Sequence, residues 1–210
     1  MDEHEKTLRL DGIVRASGFA SGVQGKQFLG VIIECCDGGE WIVDYDEQSP
    51  YHAFADRQVV VSGTPCEVSG RHLSGTTSGR KQGNRRMSTQ HLIRTARGQT
   101  PWHLRVSTMR LAAITPDAEI VAVGAEQRLC GRFERATCRS GESTLAFVTL
   151  EGDTFLVAND PAGATVGRSV EVCAYPVQLS TSVPRPPGRY LWIICPCSAD
   201  DIWEWRRRHA

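Results

Sequence analysis

The sequence predicts an all-β protein made of two copies of one five-stranded unit, and three observations predict it. Apolar residues recur with period two, as at Val59/Val61 and Val170/Val172, which buries one face of a strand. Short glycine turns, CDGG (Cys36–Gly39) and EGD (Glu151–Asp153), sit between such runs and mark hairpins. The chain also repeats itself. DRQVVVSGTPCEV (Asp56–Val68) aligns without gaps to GRSVEVCAYPVQL (Gly167–Leu179), and GGEWIVDYD (Gly38–Asp46) to GDTFLVAND (Gly152–Asp160).

The elements follow in the same order in each copy. The first strand carries an early glycine: Leu10–Ser17 with Gly12, and Leu129–Thr137 with Gly131. The second and third form the hairpins, Phe28–Cys36 with Glu40–Tyr45, then Thr144–Leu150 with Thr154–Ala158. The fourth is the valine alternation. The fifth is Leu104–Leu111 after Pro101 and Tyr190–Cys195 after Pro187, so that Trp102 is aligned with Gly188. Between strands three and four there is room only for a loop or a single turn. ITPDAEIVAVGAEQ (Ile114–Gln127) reads as the join between the copies. Helical periodicity is absent until SADDIWEWRRRHA, where Ser198 caps a predicted C-terminal helix over 199–208.

Five short strands, a glycine in the first and an x-V-x-V-x-G fourth strand resemble the OB-fold, the five-stranded Greek-key barrel, with SH3-like barrels as the rival architecture. The resemblance covers nearly the whole chain, twice. It implies two tandem five-stranded OB-like barrels plus the short helix: residues 1–115, with a long loop over 69–100, and residues 116–210.

Composition narrows the function. The chain has 210 residues, 40% hydrophobic and 23% charged, which suits a soluble globular protein. The polar, acidic start MDEHEKTLRL is not a secretory signal, and no apolar run is long enough to span a bilayer. A cytoplasmic protein without a membrane partner is expected. Eight cysteines would then be reduced, and their neighbours in VIIECC, VEVCAY and WIICPC suggest small buried hydrophobes. Cys195-Pro196-Cys197 lacks the spacing of a zinc knuckle, so no metal and no cofactor are expected. No phosphate-cradling glycine motif, G-x-S-x-G or H-E-x-x-H occurs, and a non-enzymatic protein is expected.

The copies differ most between strands four and five. The second has STSVPRPPG (Ser180–Gly188), whereas the first has thirty-two residues, Ser69–Thr100. Connections that long are usually functional or disordered. This one contains GRKQGNRRMSTQHLIRTAR (Gly79–Arg97). Residues 71–110 hold 9 Lys+Arg and no Asp or Glu, net +9; residues 1–70 hold 5 and 12, net −7; residues 111–210 hold 10 and 12, net −2. A neutral total thus hides a strongly basic segment on an acidic body. A short helix is expected within it, capped by Ser88 and ended by Gly98, with Met87, Ile93 and Ala96 on one side.

In OB-folds that bind nucleic acid, the groove lies between the loop joining strands one and two and the loop joining four and five. The resemblance puts the basic segment in the second place and glycine-rich SGFASGVQGKQ (Ser17–Gln27) in the first. Cationic side chains neutralise phosphates and release counterions. The expected nucleic-acid contacts are Lys26, Arg80, Lys81, Arg85, Arg86, Arg94 and Arg97, with Tyr45 and Trp102 as stacking residues. Trp41, matched by Phe155, is expected in the core. Two readings stay open: single-stranded or structured DNA or RNA binding through the first barrel, and a protein-interaction module such as an adaptor, complex subunit or neutraliser of a partner enzyme. The basic loop would then meet an acidic partner, or this chain's own Asp37, Glu40 and Asp44–Glu47.

Overall fold

The structure is a computed structural model that describes residues 7–21, 27–44, 48–66, 93–94, 102–137, 141, 143–161, 163–182 and 184–197. Those residues form β1 (Leu8–Ser21), β2 (Gln27–Cys35), β3 (Glu40–Asp44), β4 (Gln58–Cys66), β5 (Ile93–Arg94), β6 (Trp102–Leu111), β7 (Ile120–Gly124), β8 (Gln127–Thr137), β9 (Ser143–Thr149), β10 (Thr154–Val157), β11 (Ser169–Leu179) and β12 (Tyr190–Cys197). The helical element among them is a single 3-10 turn, Pro50–Phe54, between β3 and β4. The protein is all-β, as its period-two patterning predicts. None of the described residues forms a helix long and apolar enough to cross a membrane. The chain divides into two compact units, Met1–Ala113 and Ile114–Ala210.

In the first unit β1 pairs antiparallel with β2 and β4, β2 with β3, and β4 with β6, while β3 runs parallel to β6. The order of pairing, β1-β2-β3-β6-β4, therefore returns to β1. In the second unit β8 pairs antiparallel with β9 and β11, β9 with β10, and β11 with β12, while β10 runs parallel to β12. This is the same circuit, strand for strand. A bulge interrupts the ladder of fourth and fifth strands in both, between Ser62 and Gly63 and between Val172 and Cys173.

Local contacts repeat as well. Gly12 stands opposite Cys35 and Val59, and Gly131 opposite Thr149 and Val170. A Cβ on Gly12 would lie 2.5 Å from the Glu34 carbonyl oxygen, and one on Gly131 would lie 2.1 Å from that of Val148. Only glycine lets the first strand pass so close to its neighbour. The turn before the fourth strand is held by the Asp56 N–H donating to the Val14 carbonyl and the Gly167 N–H donating to that of Phe133, both at 2.8 Å. Both residues have positive φ, 60° at Asp56 and 85° at Gly167. Aspartate is among the few side chains that tolerate this region. Arg15 braces it, donating to the Asp56 carboxylate and, at 3.1 Å, to Glu34. The hairpins match too: Gly38 N–H donates to Cys35 O at 2.9 Å, and Gly152 N–H to Thr149 O at 3.0 Å.

Each unit closes over its own core. In the first, Val14, Ile33, Phe54, Val59, Val61 and Met109 are fully buried. In the second, Phe133, Phe147, Val172, Ala174, Leu191 and Ile193 are. Phe133 and Phe147 meet edge to face at 5.3 Å, an arrangement that adds about 0.5–1.5 kcal/mol beyond area burial.

Four expectations change. Glycine- and serine-rich Ser17–Ser21 belongs to β1, where Phe19 pairs with Phe28; cross-strand pairing overrides the loop-like composition and leaves residues 22–26 between the strands. The join contains β7, whose Ile120 and Val123 are buried and which pairs with the end of β11. Within the helix expected over 88–98, Ile93 and Arg94 are strand residues, paired with Ser21 and Ala20. The fifth strands begin earlier or end later than expected, at Trp102 and Cys197. The predicted helix over 199–208 lies outside the described residues.

Replacing Gly131 or Gly12 by alanine should lower unfolding stability by about 1–3 kcal/mol, because the new methyl meets backbone rather than a movable side chain. Urea unfolding measures this, and an unchanged midpoint would show that the first strand has room to shift.

Candidate functional site

The two units can be compared where the third strand runs beside the fifth. In the second unit Leu156 is registered with Tyr190 and Val157 with Leu191. The Leu156 N–H donates to the Arg189 carbonyl and the Ala158 N–H to that of Leu191, each at 2.8 Å. Asn159 continues this ladder with its side chain, donating to the Ile193 carbonyl at 2.7 Å and accepting from the Ile193 N–H at 2.9 Å. At the mouth of the ladder the Arg189 guanidinium lies 4.5 Å over the Phe155 ring, a cation–π contact. The Asp153 carboxylate accepts from Arg189 Nη2 at 2.7 Å.

The connection from β11 to β12 folds over this place. The Tyr190 hydroxyl donates to the Pro186 carbonyl at 2.5 Å, and Arg185 pairs with Glu119. A groove of about 650 Å³ results, lined by Phe155, Pro176, Val177 and the run from Pro184 to Tyr190.

In the first unit the corresponding register sets Trp41 opposite Trp102 and Ile42 opposite His103. Since Ile42 corresponds to Leu156, the partner of Leu156, Tyr190, corresponds to His103. Trp102 therefore corresponds to Arg189, one residue away from the Gly188 assigned by aligning the prolines. The parallel ladder fixes the offset, and the prolines precede it. Trp41 and Phe155, expected in the core, are both half-buried, at its margin.

The same strand corrects the expected acidic surface. Along β3 the burial alternates so that Glu40, Ile42 and Asp44 share one face; they are 8%, 1% and 2% exposed, and His103 beside Ile42 is 9% exposed. Asp44 and Glu40 are therefore not part of an open acidic patch, whereas Asp37 in the turn is exposed. The second unit has Thr154, Leu156, Ala158 and Tyr190 at these places. The sequence reading named Glu40 and Asp44 as surface acids and missed both their burial and His103 beside them. The signal for their burial was that both carboxylates share the period-two face of Ile42, in a strand whose counterpart carries Thr and Ala.

Of the predicted contact residues, Lys26, Tyr45, Arg80, Lys81, Arg85, Arg86 and Arg97 lie outside the described residues. Arg94 is in β5, with its Cα opposite Ala20 of β1. Trp102 opens β6 opposite Trp41. The basic segment is thus paired, at β5, with the Ala20–Ser21 end of the first strand.

The four cysteines whose burial the structure describes depart from the expectation. Cys36 and Cys130 are exposed, Cys35 and Cys173 half-buried. Cys36 sits in the hairpin turn, and Cys130 falls on the outward phase of β8, whose inward phase is Gly131 and Phe133. Burial, then the nearby Asp37 charge, pushes the Cys35 thiol up to about 11.

No protein-family model, curated protein or solved structure matches this chain.

In the native protein at mildly alkaline pH, Cys36 and Cys130 should label with an alkylating reagent. Cys35 should react appreciably only as the pH approaches about 11, because the thiolate is the nucleophile. Peptide mapping by tandem mass spectrometry reads each site; native protection of Cys36 and Cys130 would contradict the exposure described.

Proposed function

We propose that each unit is an OB-like barrel, and that the chain is a non-enzymatic, cytoplasmic protein binding single-stranded or structured nucleic acid through its first unit. The barrel reading is supported by the pairing circuit: five strands whose first pairs with the second and fourth, and whose third runs parallel to the fifth, as a five-stranded Greek-key barrel requires. The functional reading is carried by one observation. Residues 71–110, with 9 Lys+Arg and no acid, are tied at Ile93–Arg94 to the end of β1. The cationic connection between the fourth and fifth strands is thereby paired with the end of the first strand, next to where the connection to the second strand begins. Positive charge tethered next to a connection whose sequence, Gly22 to Lys26, holds two glycines suits a phosphodiester chain: the cations release counterions, and glycine admits close backbone approach. Lys26, Arg80, Lys81, Arg85, Arg86, Arg94 and Arg97 would meet phosphates, and Tyr45 and Trp102 would meet bases.

Titration of single-stranded and duplex DNA and RNA at two salt concentrations tests this. A variant with Arg80, Lys81, Arg85 and Arg86 changed to Ala should fold normally and bind more weakly. Its log–log salt slope should be smaller by about 0.7–0.9 for each phosphate that is no longer neutralised. Tyr45→Ala should cost about 1–3 kcal/mol of binding. If the wild-type protein binds no nucleic acid at low salt, the reading fails, and the basic segment becomes a contact for an acidic protein partner.

A further inference from the structure

We propose that the second unit carries a nucleobase-stacking subsite whose platform is the guanidinium of Arg189. This rests on the nucleic-acid reading above and adds to it a point of contact that has a different physical origin.

The platform is built in layers. Phe155 is packed against the core cluster of the second unit and so is fixed in place. Arg189 lies 4.5 Å over that ring. Asp153 holds the guanidinium edge at 2.7 Å. The Arg189 side chain is nonetheless 62% exposed, which leaves its outer surface available. A guanidinium is planar and weakly hydrated, and unpaired bases stack on such planes as they do on aromatic rings. Asp153 balances the positive charge, so the plate offers a π-compatible surface rather than a free cation for phosphate.

The surroundings fit the same occupant. The groove of about 650 Å³ is within the ordinary range for small-ligand sites, and no carboxylate lines it. Pro184, Pro186 and Pro187 form a wall with little conformational freedom to lose, and the Tyr190 hydroxyl bonded to Pro186 and the Arg185–Glu119 pair fix it further. Gly188 keeps the wall close: a Cβ there would stand 3.0 Å from Leu156 Cδ1. A base within a duplex has both faces stacked already, so the occupant is a nucleotide of a single strand. Trp102 occupies the corresponding register position in the first unit, opposite Trp41, so each copy places a flat side-chain type at the mouth of its third- and fifth-strand ladder.

The test uses the full chain and a fluorescein-labelled oligo(dT). Arg189→Lys keeps the charge but removes the plane. Phe155→Leu keeps an apolar side chain but removes the ring, and thermal unfolding shows whether each variant is folded. Both should bind about fivefold or more weaker than wild type, with an unchanged salt slope. The basic-loop variant should instead lower the slope. Wild-type affinity in a folded Arg189→Lys variant, alongside weak binding by the loop variant, would overturn the subsite and leave the proposed function standing. A reduced slope in a third variant, Arg189→Gln, which removes the charge as well as the fork, would make Arg189 a phosphate contact and likewise overturn the stacking platform. No binding of oligo(dT) by wild type would overturn the subsite, and the proposed function falls with it only if the duplex and structured DNA and RNA titrations are negative too.

Discussion

The parallel contact of the third and fifth strands is the constraint on which each unit depends. Parallel neighbours cannot be joined by a tight turn, so a longer crossover must lie between them in the chain. Here the fourth strand lies in that crossover, pairing with the first on one side and the fifth on the other. Without the short β3–β6 and β10–β12 ladders the pairing order would not return to its start. The ladder is reinforced in the second unit by the Asn159 side chain, which bonds both polar groups of the Ile193 backbone and adds a rung that the main chain does not supply.

That arrangement leaves the connection between strands four and five free to vary, because its ends are already adjacent in an antiparallel pair. One copy spans it with Ser180–Gly188 and the other with Ser69–Thr100. Loop-closure entropy rises only logarithmically with length, so the longer connection costs about 1 kcal/mol more. A basic segment can therefore be carried at modest thermodynamic expense. The positions that build the scaffold agree between the copies: Gly12 with Gly131, Val59 with Val170, Asp56 with Gly167 at one positive-φ turn. The positions around the ladder mouth differ, with Glu40, Asp44 and His103 against Thr154, Ala158 and Tyr190. The frame is thus constant between the two copies, and the change is concentrated at one end.

The electrostatic character of the two ends follows from this divergence. In the first unit buried carboxylates and a histidine share a face with Ile42, and burial of such groups requires compensating partners. Each of the three makes at least one interaction with another group, although Oε2 of the Glu40 carboxylate accepts no hydrogen bond among the described residues. In the second unit the carboxylates near the mouth, Asp153 and Glu119, are half exposed and already joined to Arg189 and Arg185. Cations there are balanced, whereas the basic segment of the first unit contains no acid to balance it.

By itself the sequence determined what is local. Period-two burial named the valine strands, the glycine turns named both hairpins, and the internal repeat named two copies, because each signal depends on residues a few positions apart. Gly12 and Gly131 were visible as paired glycines, although their reason, a backbone passing within 2.5 Å or less of a Cβ position, was not. Tertiary structure decided the rest. It extended β1 through Ser21 by pairing Phe19 with Phe28, and it made a strand of Ile120–Gly124 by supplying the end of β11 as a partner. It also moved the counterpart of Trp102 from Gly188 to Arg189 and turned Cys36 and Cys130 outward. Those outcomes depend on register between strands distant in sequence, and a shift of one residue reverses which face each side chain occupies.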